Sequence, residues 1–317
     1  MPSALGRILV TPRSLTIDGD GSPLLEPLRR AGYEVITGRP GHTPSATELR
    51  ALLPGVVGWL AGVEPITADL LEVADELRVI SRNGTGTDSI DLEAARLRGI
   101  RVERALGANA QGVAELAVSL ALCAQRGIPW SSDGVKAGTW QRDLGRELRD
   151  MTVGIVGLGA IGGEVARIFA ALGASVRGYD PVAGSSPIAV ADVGDVFVGA
   201  DVVSLHAPPL ADGRPLVTAS LLGVMRPGSV LVNTARSALV DDDAVLIALN
   251  ERTLGAYAVD AFDTEPPTVT PLLRHPRTIC TPHLGGYTES SVRRATEAAV
   301  TNLLSALNSL AQPEGIS

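Results

Sequence analysis

Only two cysteines occur in the 317 residues, Cys123 in an apolar helical run and Cys280 in a β run. So placed, both read as core residues, and neither a disulfide nor a metal site is expected. No apolar run approaches the roughly 18 residues of a membrane span, and Met1 to Val10 has neither the charged start nor the apolar core of a signal peptide. No membrane association is expected, and the cytoplasm is the expected location. No basic stripe stands out either, and the net charge of -8 argues against nucleic-acid binding. An anionic small molecule, held by a few local arginines, remains compatible with that charge. Internal repeats and low-complexity stretches are absent.

What is present is the composition of an ordinary globular chain, 45% hydrophobic and 20% charged. Its length suits about two domains of 100 to 200 residues. Short apolar strands alternate with helices from the start: Arg7–Val10, a Pro23-led helix to Ala31, Glu34–Ile36, a helix opened by the capping box Ser45-Ala46-Thr47-Glu48, and Val56–Leu60. Thr67 opens a further helix, the strand Leu77–Ile80 runs into Arg82-Asn83-Gly84-Thr85-Gly86-Thr87-Asp88, and a helix follows from Asp91 to Arg98. Such βα alternation predicts a parallel, doubly wound sheet. A long apolar helix, Ala110 to Arg126, reads as an interdomain or subunit-packing element, and a polar segment with Trp130 and Trp140 leads on from it.

The stretch Thr152–Gly163 organises the rest. A β-branched run breaks into Gly157-Leu158-Gly159-Ala160-Ile161-Gly162 and restarts as a helical pattern, which is the strand, turn and helix of a dinucleotide-binding fingerprint. Gly157 permits the turn, Gly159 lets backbone approach a pyrophosphate, and Gly162 lets helix pack on strand. A second strand ends on Asp180, about twenty residues on, where a carboxylate binds a ribose 2′-OH. The strands Val202–Leu205, Val230–Asn233, Ala256–Asp260 and Thr278–Thr281 each carry polar residues at their carboxyl ends. In open α/β sheets that edge binds ligands, so Thr234, Ala235, Arg236, Asp260 and His283 are expected to converge on one crevice.

Hydride chemistry at a carbonyl explains why these residue types belong together. A histidine can protonate the developing alkoxide, which assigns His283. A neighbouring carboxylate, Glu265, stabilises the imidazolium. A guanidinium, Arg236, can fork onto a substrate carboxylate while polarising its oxo group. Asp260 is placed to bond a nicotinamide carboxamide. Taken singly, each of Arg236, Glu265 and His283 also fits a plain surface or loop role.

Read in order, the fingerprint, Asp180, Leu205-His206-Ala207-Pro208, Asn233-Thr234-Ala235-Arg236, Asp260-Ala261-Phe262-Asp263-Thr264-Glu265 and Pro282-His283-Leu284-Gly285-Gly286 resemble the D-2-hydroxyacid dehydrogenase family over nearly the whole chain. Gly84-Thr85-Gly86-Thr87-Asp88-Ser89-Ile90-Asp91 is most similar to the D-3-phosphoglycerate dehydrogenase branch. The resemblance implies an α/β chain in which a Rossmann-type cofactor domain (107–287) is inserted into a flavodoxin-like substrate domain (1–106 and 288–317), both doubly wound parallel sheets. It implies NAD as cofactor, a small 2-oxo or 2-hydroxy acid as substrate, and a homodimer. Arg236, Glu265 and His283 are by resemblance the catalytic trio, and Thr85, Gly157, Gly159, Ala160, Ile161, Gly162, Asp180, Ala207, Thr234, Ala235, Arg236, Asp260, His283 and Gly286 lie along NAD. Arg82, Asn83, Gly84, Thr85, Arg236 and His283, with Arg142 from the other subunit, face substrate, and the two outer arginines suggest a second anionic group on it.

Two departures bear on substrate. Ala61-Gly62-Val63-Glu64 stands where that branch has a further arginine, and Trp140 to Leu148 is shorter than in the branch. With the chain ending at Ser317, serine feedback through an appended domain is not expected. His206 is expected to pack near the nicotinamide without donating a proton, and His42 and His275 to be solvated. The competing readings are an enzyme resembling phosphite or formate dehydrogenases, and an NAD-sensing interaction protein similar to the corepressors that share this fold.

Overall fold

The computed structural model describes residues 5–19, 21–182 and 186–311. They form two compact units, Met1–Asn109 with Glu289–Ser317, and Ala110–Thr288. No helix among the described residues is long and apolar enough to cross a membrane.

The first unit is a five-stranded parallel sheet of β1 (Arg7–Val10), β2 (Glu34–Thr37), β3 (Val56–Ala61), β4 (Val79–Arg82) and β5 (Arg101–Arg104), in the order β2-β1-β3-β4-β5. That is the flavodoxin-like order. Strand β3 is buried along its whole length, as expected of a central parallel strand covered on both faces. The predicted capping box opens the helix Ala46–Leu52: Ser45 Oγ accepts from Glu48 N, and Glu48 Oε2 accepts from Ser45 N at 2.8 Å. The bond from Ser45 N, with those from Arg39 and the Ser45 hydroxyl, holds the pKa of the Glu48 carboxyl down to about 2.

The helix Glu289–Ala311 belongs to this unit and packs its Ala299, Leu303 and Leu307 into the core of Ile8, Val10, Leu60 and Val79. Gly58 lets it approach closely, since a Cβ there would lie 3.2 Å from the methyls of both Leu303 and Leu307, which would have to shift slightly. Ser81 Oγ donates to Ala299 O at 2.7 Å, tying the helix to β4.

The second unit is a six-stranded parallel sheet of β6 (Thr152–Val156), β7 (Ser175–Tyr179), β8 (Val202–Leu205), β9 (Ser229–Asn233), β10 (Leu254–Val259) and β11 (Thr278–Cys280), ordered β11-β10-β9-β8-β6-β7. The chain leaves β6 for β7 on one side and returns to β8 on the other, so the switch point lies between β6 and β8. There a Cβ on Gly157 would sit 2.6 Å from the His206 carbonyl oxygen, which leaves room only for glycine.

Four expectations need correction. The Pro23-led helix is a 3-10 turn, Pro23–Leu25, followed by a separate helix, Glu26–Arg30. Pro27 cannot donate to an upstream carbonyl, so one continuous helix cannot pass through it. The fourth strand begins at Val79 rather than Leu77, whose N–H is turned to Ala74 O, and runs on to include Arg82. The polar segment with Trp130 contains a helix, Ile128–Lys136, none of whose residues is buried. Cys280 is exposed and Cys123 only half-buried; Cys280 is the last residue of β11, the edge strand of its sheet.

Candidate active site

The fingerprint has the local geometry its glycines predict. Gly157 is left-handed (φ 89°), and a Cβ on Gly162 would lie 1.8 Å from Gly157 O, so strand and helix meet without intervening side chains. A Cβ on Gly159, by contrast, would meet none of the described residues within 4 Å. Gly159 caps the helix Ala160–Ala171 with no side-chain hydrogen bond, which leaves its first N–H groups for an anion. Ala160 is exposed and Ile161 half-buried in this first turn. The Asp180 carboxylate accepts from Leu158 N at 2.8 Å and Val182 N at 2.9 Å, which sets it against the turn. Thr234 adds a buried hydroxyl with no hydrogen-bond partner among the described residues. An open helix terminus, an adjacent carboxylate and an unpaired buried hydroxyl fit a dinucleotide.

Three loops leave one edge of this sheet together, because Asn233, Val259 and Cys280 are in register across β9, β10 and β11. The first carries Arg236. Asn233 is fully buried; its Nδ2 donates to Arg236 O at 2.8 Å and its Oδ1 accepts from Ala235 N at 3.1 Å. Beneath it lies Tyr257, whose buried hydroxyl bonds Asn233 and whose pKa burial pushes above the usual range. Arg236 is half-buried, with Nη1 donating to Ala235 O at 2.7 Å. Asp263 N donates to Ser237 Oγ at 2.9 Å, joining this loop to the second, which carries Glu265. Behind both, burial and the neighbouring Asp263, Asp243 and Asp241 raise the Asp242 pKa.

Glu265 Oε1 accepts from Phe262 N at 3.1 Å and lies 2.7 Å from His283 Nδ1. Both side chains are about half-exposed, 41% and 50%. His283 sits on the third loop in the left-handed region, φ 53°. For a residue with a Cβ that costs roughly 1–2 kcal/mol. Asp260 is 1% exposed and receives Thr281 Oγ1, Leu284 N and Gly285 N at 2.6, 2.7 and 2.9 Å. Gly286 follows, half-buried, and Ala207 is half-buried at the switch point.

His206 Nε2 lies 2.8 Å from Ser204 Oγ, and its Nδ1 is sealed from solvent without a partner among the described residues. Burial depresses its pKa to about 3, so it is a neutral packing group rather than a proton donor. His42 is exposed, whereas His275 is half-buried, its Nδ1 accepting from Arg277 N. In the first unit, Arg82, Asn83, Gly84 and Thr85 follow one another at the carboxyl end of β4. Arg82 Nη1 donates to Asn83 O at 2.7 Å and would lie 3.1 Å from a Cβ on Gly84. Thr85 Oγ1 donates to Ala105 O at 3.3 Å. At the ends of β1 and β3 the Thr11 hydroxyl and Gly62 N both donate to buried Glu64 Oε1. Arg142 lies in an exposed stretch of the second unit.

The sequence reading missed Asn233, Thr281, Leu284 and Gly285 as parts of the site. A polar residue closing an apolar strand was the available signal for Asn233; the others act mainly through backbone N–H groups and carried none.

Residues 118–285 match the family model described as D-isomer specific 2-hydroxyacid dehydrogenase, NAD binding domain. A hydroxypyruvate reductase of Thermotoga maritima is 34% identical over 255 residues, 78% of this chain and 83% of that protein. The chain belongs to the D-isomer specific 2-hydroxyacid dehydrogenases. Its second unit is thus the family's NAD-binding domain. A D-3-phosphoglycerate dehydrogenase of Methanocaldococcus jannaschii is 39% identical over 238 residues, 73% of this chain but 45% of that protein. The chain therefore spans about half the length of the phosphoglycerate dehydrogenases it matches. Among solved structures, the TT0316 protein of Thermus thermophilus has a TM-score of 0.85 and 34% identity, over 96% of this chain and 97% of that one.

Proposed function

We propose that this chain interconverts a small 2-oxo acid and its 2-hydroxy acid with NAD, using Arg236, Glu265 and His283. The 2.7 Å pairing of His283 Nδ1 with Glu265 Oε1, on loops leaving the same strand edge as Arg236, carries the reading. Bound in its reduced form, NAD supplies the hydride. Arg236 holds the substrate carboxylate through its fork and draws electron density from the oxo group. With Nδ1 engaged by Glu265, His283 delivers the proton to the alkoxide through Nε2, and in the oxidative direction it takes that proton back. Asp180 accepts the ribose 2′-OH, and Gly159, Ala160 and Ile161 offer the helix terminus to the pyrophosphate.

The substrate is a short acid with a second anionic group beyond the carboxylate. Arg82 and its Asn83-Gly84-Thr85 continuation at a strand end support this, as does likeness to proteins named D-3-phosphoglycerate dehydrogenase. NADH oxidation against glyoxylate, hydroxypyruvate, phosphohydroxypyruvate, oxaloacetate and phosphonopyruvate tests both statements. Turnover of none overturns the dehydrogenase reading. Arg82→Ala should raise KM for the preferred doubly anionic acid about tenfold or more and leave glyoxylate nearly unchanged. An equal response of both acids removes Arg82 from recognition.

The working form in this reading is a homodimer. The helix Ile128–Lys136 buries none of its residues, and Trp140 and Leu144 beyond it stand fully in solvent. Sedimentation of the chain and of a Trp140→Ala, Leu144→Ala double variant tests it; a wild-type monomer contradicts it.

A further inference from the structure

The five-stranded sheet has a switch point of its own. The chain leaves β1 for β2 on one side and returns to β3 on the other, so the crevice of this unit opens between the carboxyl ends of β1 and β3. Thr11 follows β1, Gly62 follows β3, and the carboxylate of Glu64, 1% exposed, bridges the two. The Thr11 hydroxyl donates to Glu64 Oε1, as does Gly62 N at 2.9 Å, and Trp59 Nε1 donates to Thr11 Oγ1 at 3.0 Å. The backbone N–H that such a crevice offers to an anion is therefore taken by a carboxylate of the chain itself.

Glu64 Oε2 lies against Gly62, where a Cβ would come within 2.7 Å of it, and is sealed from solvent with no hydrogen-bond partner among the described residues. Both donors to Oε1 are neutral, and no arginine or lysine among the described residues pairs with the group. A negative charge held this way is not cancelled, and where little water intervenes it repels a second one. The next strand end carries the residues assigned to substrate. Ala61 is the register partner of Arg82, and Asn83 N donates to Ala61 O at 2.9 Å, so the β3 end stands one strand, about 4.8 Å, from the β4 end. We propose that Glu64 is a specificity-determining residue, closing the β1–β3 side of this edge to anions and limiting the acid's second anionic group to a short one on the β4 side. A carboxylate or phosphonate on the carbon next to the oxo group fits that limit. A phosphate ester, longer by its bridging oxygen, does not. This inference rests on the 2-oxo acid reading and on Arg82 facing the second anion.

Glu64→Gln is the test, because it removes the charge and little else. The new amide oxygen can keep both bonds made by Oε1, and the NH2 replaces an oxygen with no partner among the described residues. In the full chain with saturating NADH, kcat/KM for phosphohydroxypyruvate relative to oxaloacetate should rise at least about tenfold, carried by KM. Glu64→Met, uncharged and of similar length, should move the ratio in the same direction and serves if the first variant fails to fold. An unchanged ratio, with both acids gaining or losing alike, is the mark of a purely structural carboxylate and overturns the proposal.

A titration without turnover separates this result from the reading beneath it. The change in fluorescence of bound NADH on adding 3-phosphoglycerate or malate reports their affinities directly, and Glu64→Gln should tighten 3-phosphoglycerate at least about tenfold relative to malate. Equal relative affinities in the two proteins, no measurable binding to either included, overturn the proposal. Selective tightening in a chain that reduces no acid of the panel supports the role of Glu64 while the dehydrogenase reading falls. An equal response of all acids to Arg82→Ala removes the second-anion reading and leaves the Glu64 ratio to be read as before.

Discussion

His283 Nδ1 and Glu265 Oε1 are 2.7 Å apart although the two residues lie on different loops, and Glu265 is itself held by Phe262 N. The carboxylate therefore meets the imidazole in a fixed place. Glu265→Gln keeps the shape and removes the negative charge beside the imidazole. Oxo-acid reduction at saturating NADH should slow by about 10²-fold with NADH affinity retained. Wild-type kcat in this variant removes Glu265 from this role.

Arg236→Lys keeps the charge and loses the planar fork. KM for the oxo acid should rise and kcat fall together, with kcat/KM lower by about 10²-fold or more. Asn233 fixes the backbone at this position, so the loop should retain its path, and wild-type kinetics would place Arg236 outside the site.

Asp180 already accepts Leu158 N at the turn and is oriented toward the fingerprint. A ribose 2′-OH can donate to it, whereas a 2′-phosphate is repelled. NAD should be preferred over NADP, and Asp180→Ala should narrow the preference mainly by weakening NAD. Equal use of both cofactors by the unsubstituted chain would overturn the assignment.

His206 gives a prediction on stability. Burial holds its pKa at about 3, below the ordinary 6.5, so the unfolded chain takes up a proton that the folded chain refuses. The sign follows: stability falls as pH drops from about 6.5 toward 3, by on the order of a few kcal/mol. His206→Gln should flatten that part of the curve in denaturant titrations at pH 7, 5 and 4. An unaltered slope would show that His206 does not govern it.

The sequence was most informative where chemistry is local. Ser45 and Glu48 lie within one helical turn, and the fingerprint glycines act on backbone within a few residues, so spacing alone reveals both. Elements without an apolar period were harder to see. Strand β5 reads Arg-Val-Glu-Arg because it is an edge strand exposed at both ends, and Ile128–Lys136 contains Pro129 and Gly134 and buries nothing. Cys280 looked like core because its neighbours are β-formers, and its place at the end of an edge strand is not a local property. Asp260 was visible as a strand-end carboxylate. Its amide partners were not, since they depend on the left-handed turn at His283.

Stopped-flow hydride transfer from saturating NADH to the oxo acid of the panel that turns over fastest, measured side by side for the wild-type chain and His283→Ala, separates chemistry from binding. Wild type should oxidise NADH with at least one acid of the panel, and His283→Ala should lose roughly 10²- to 10⁴-fold in the transfer step with NADH affinity retained. Equal transfer rates in the two proteins would contradict His283 as the proton donor.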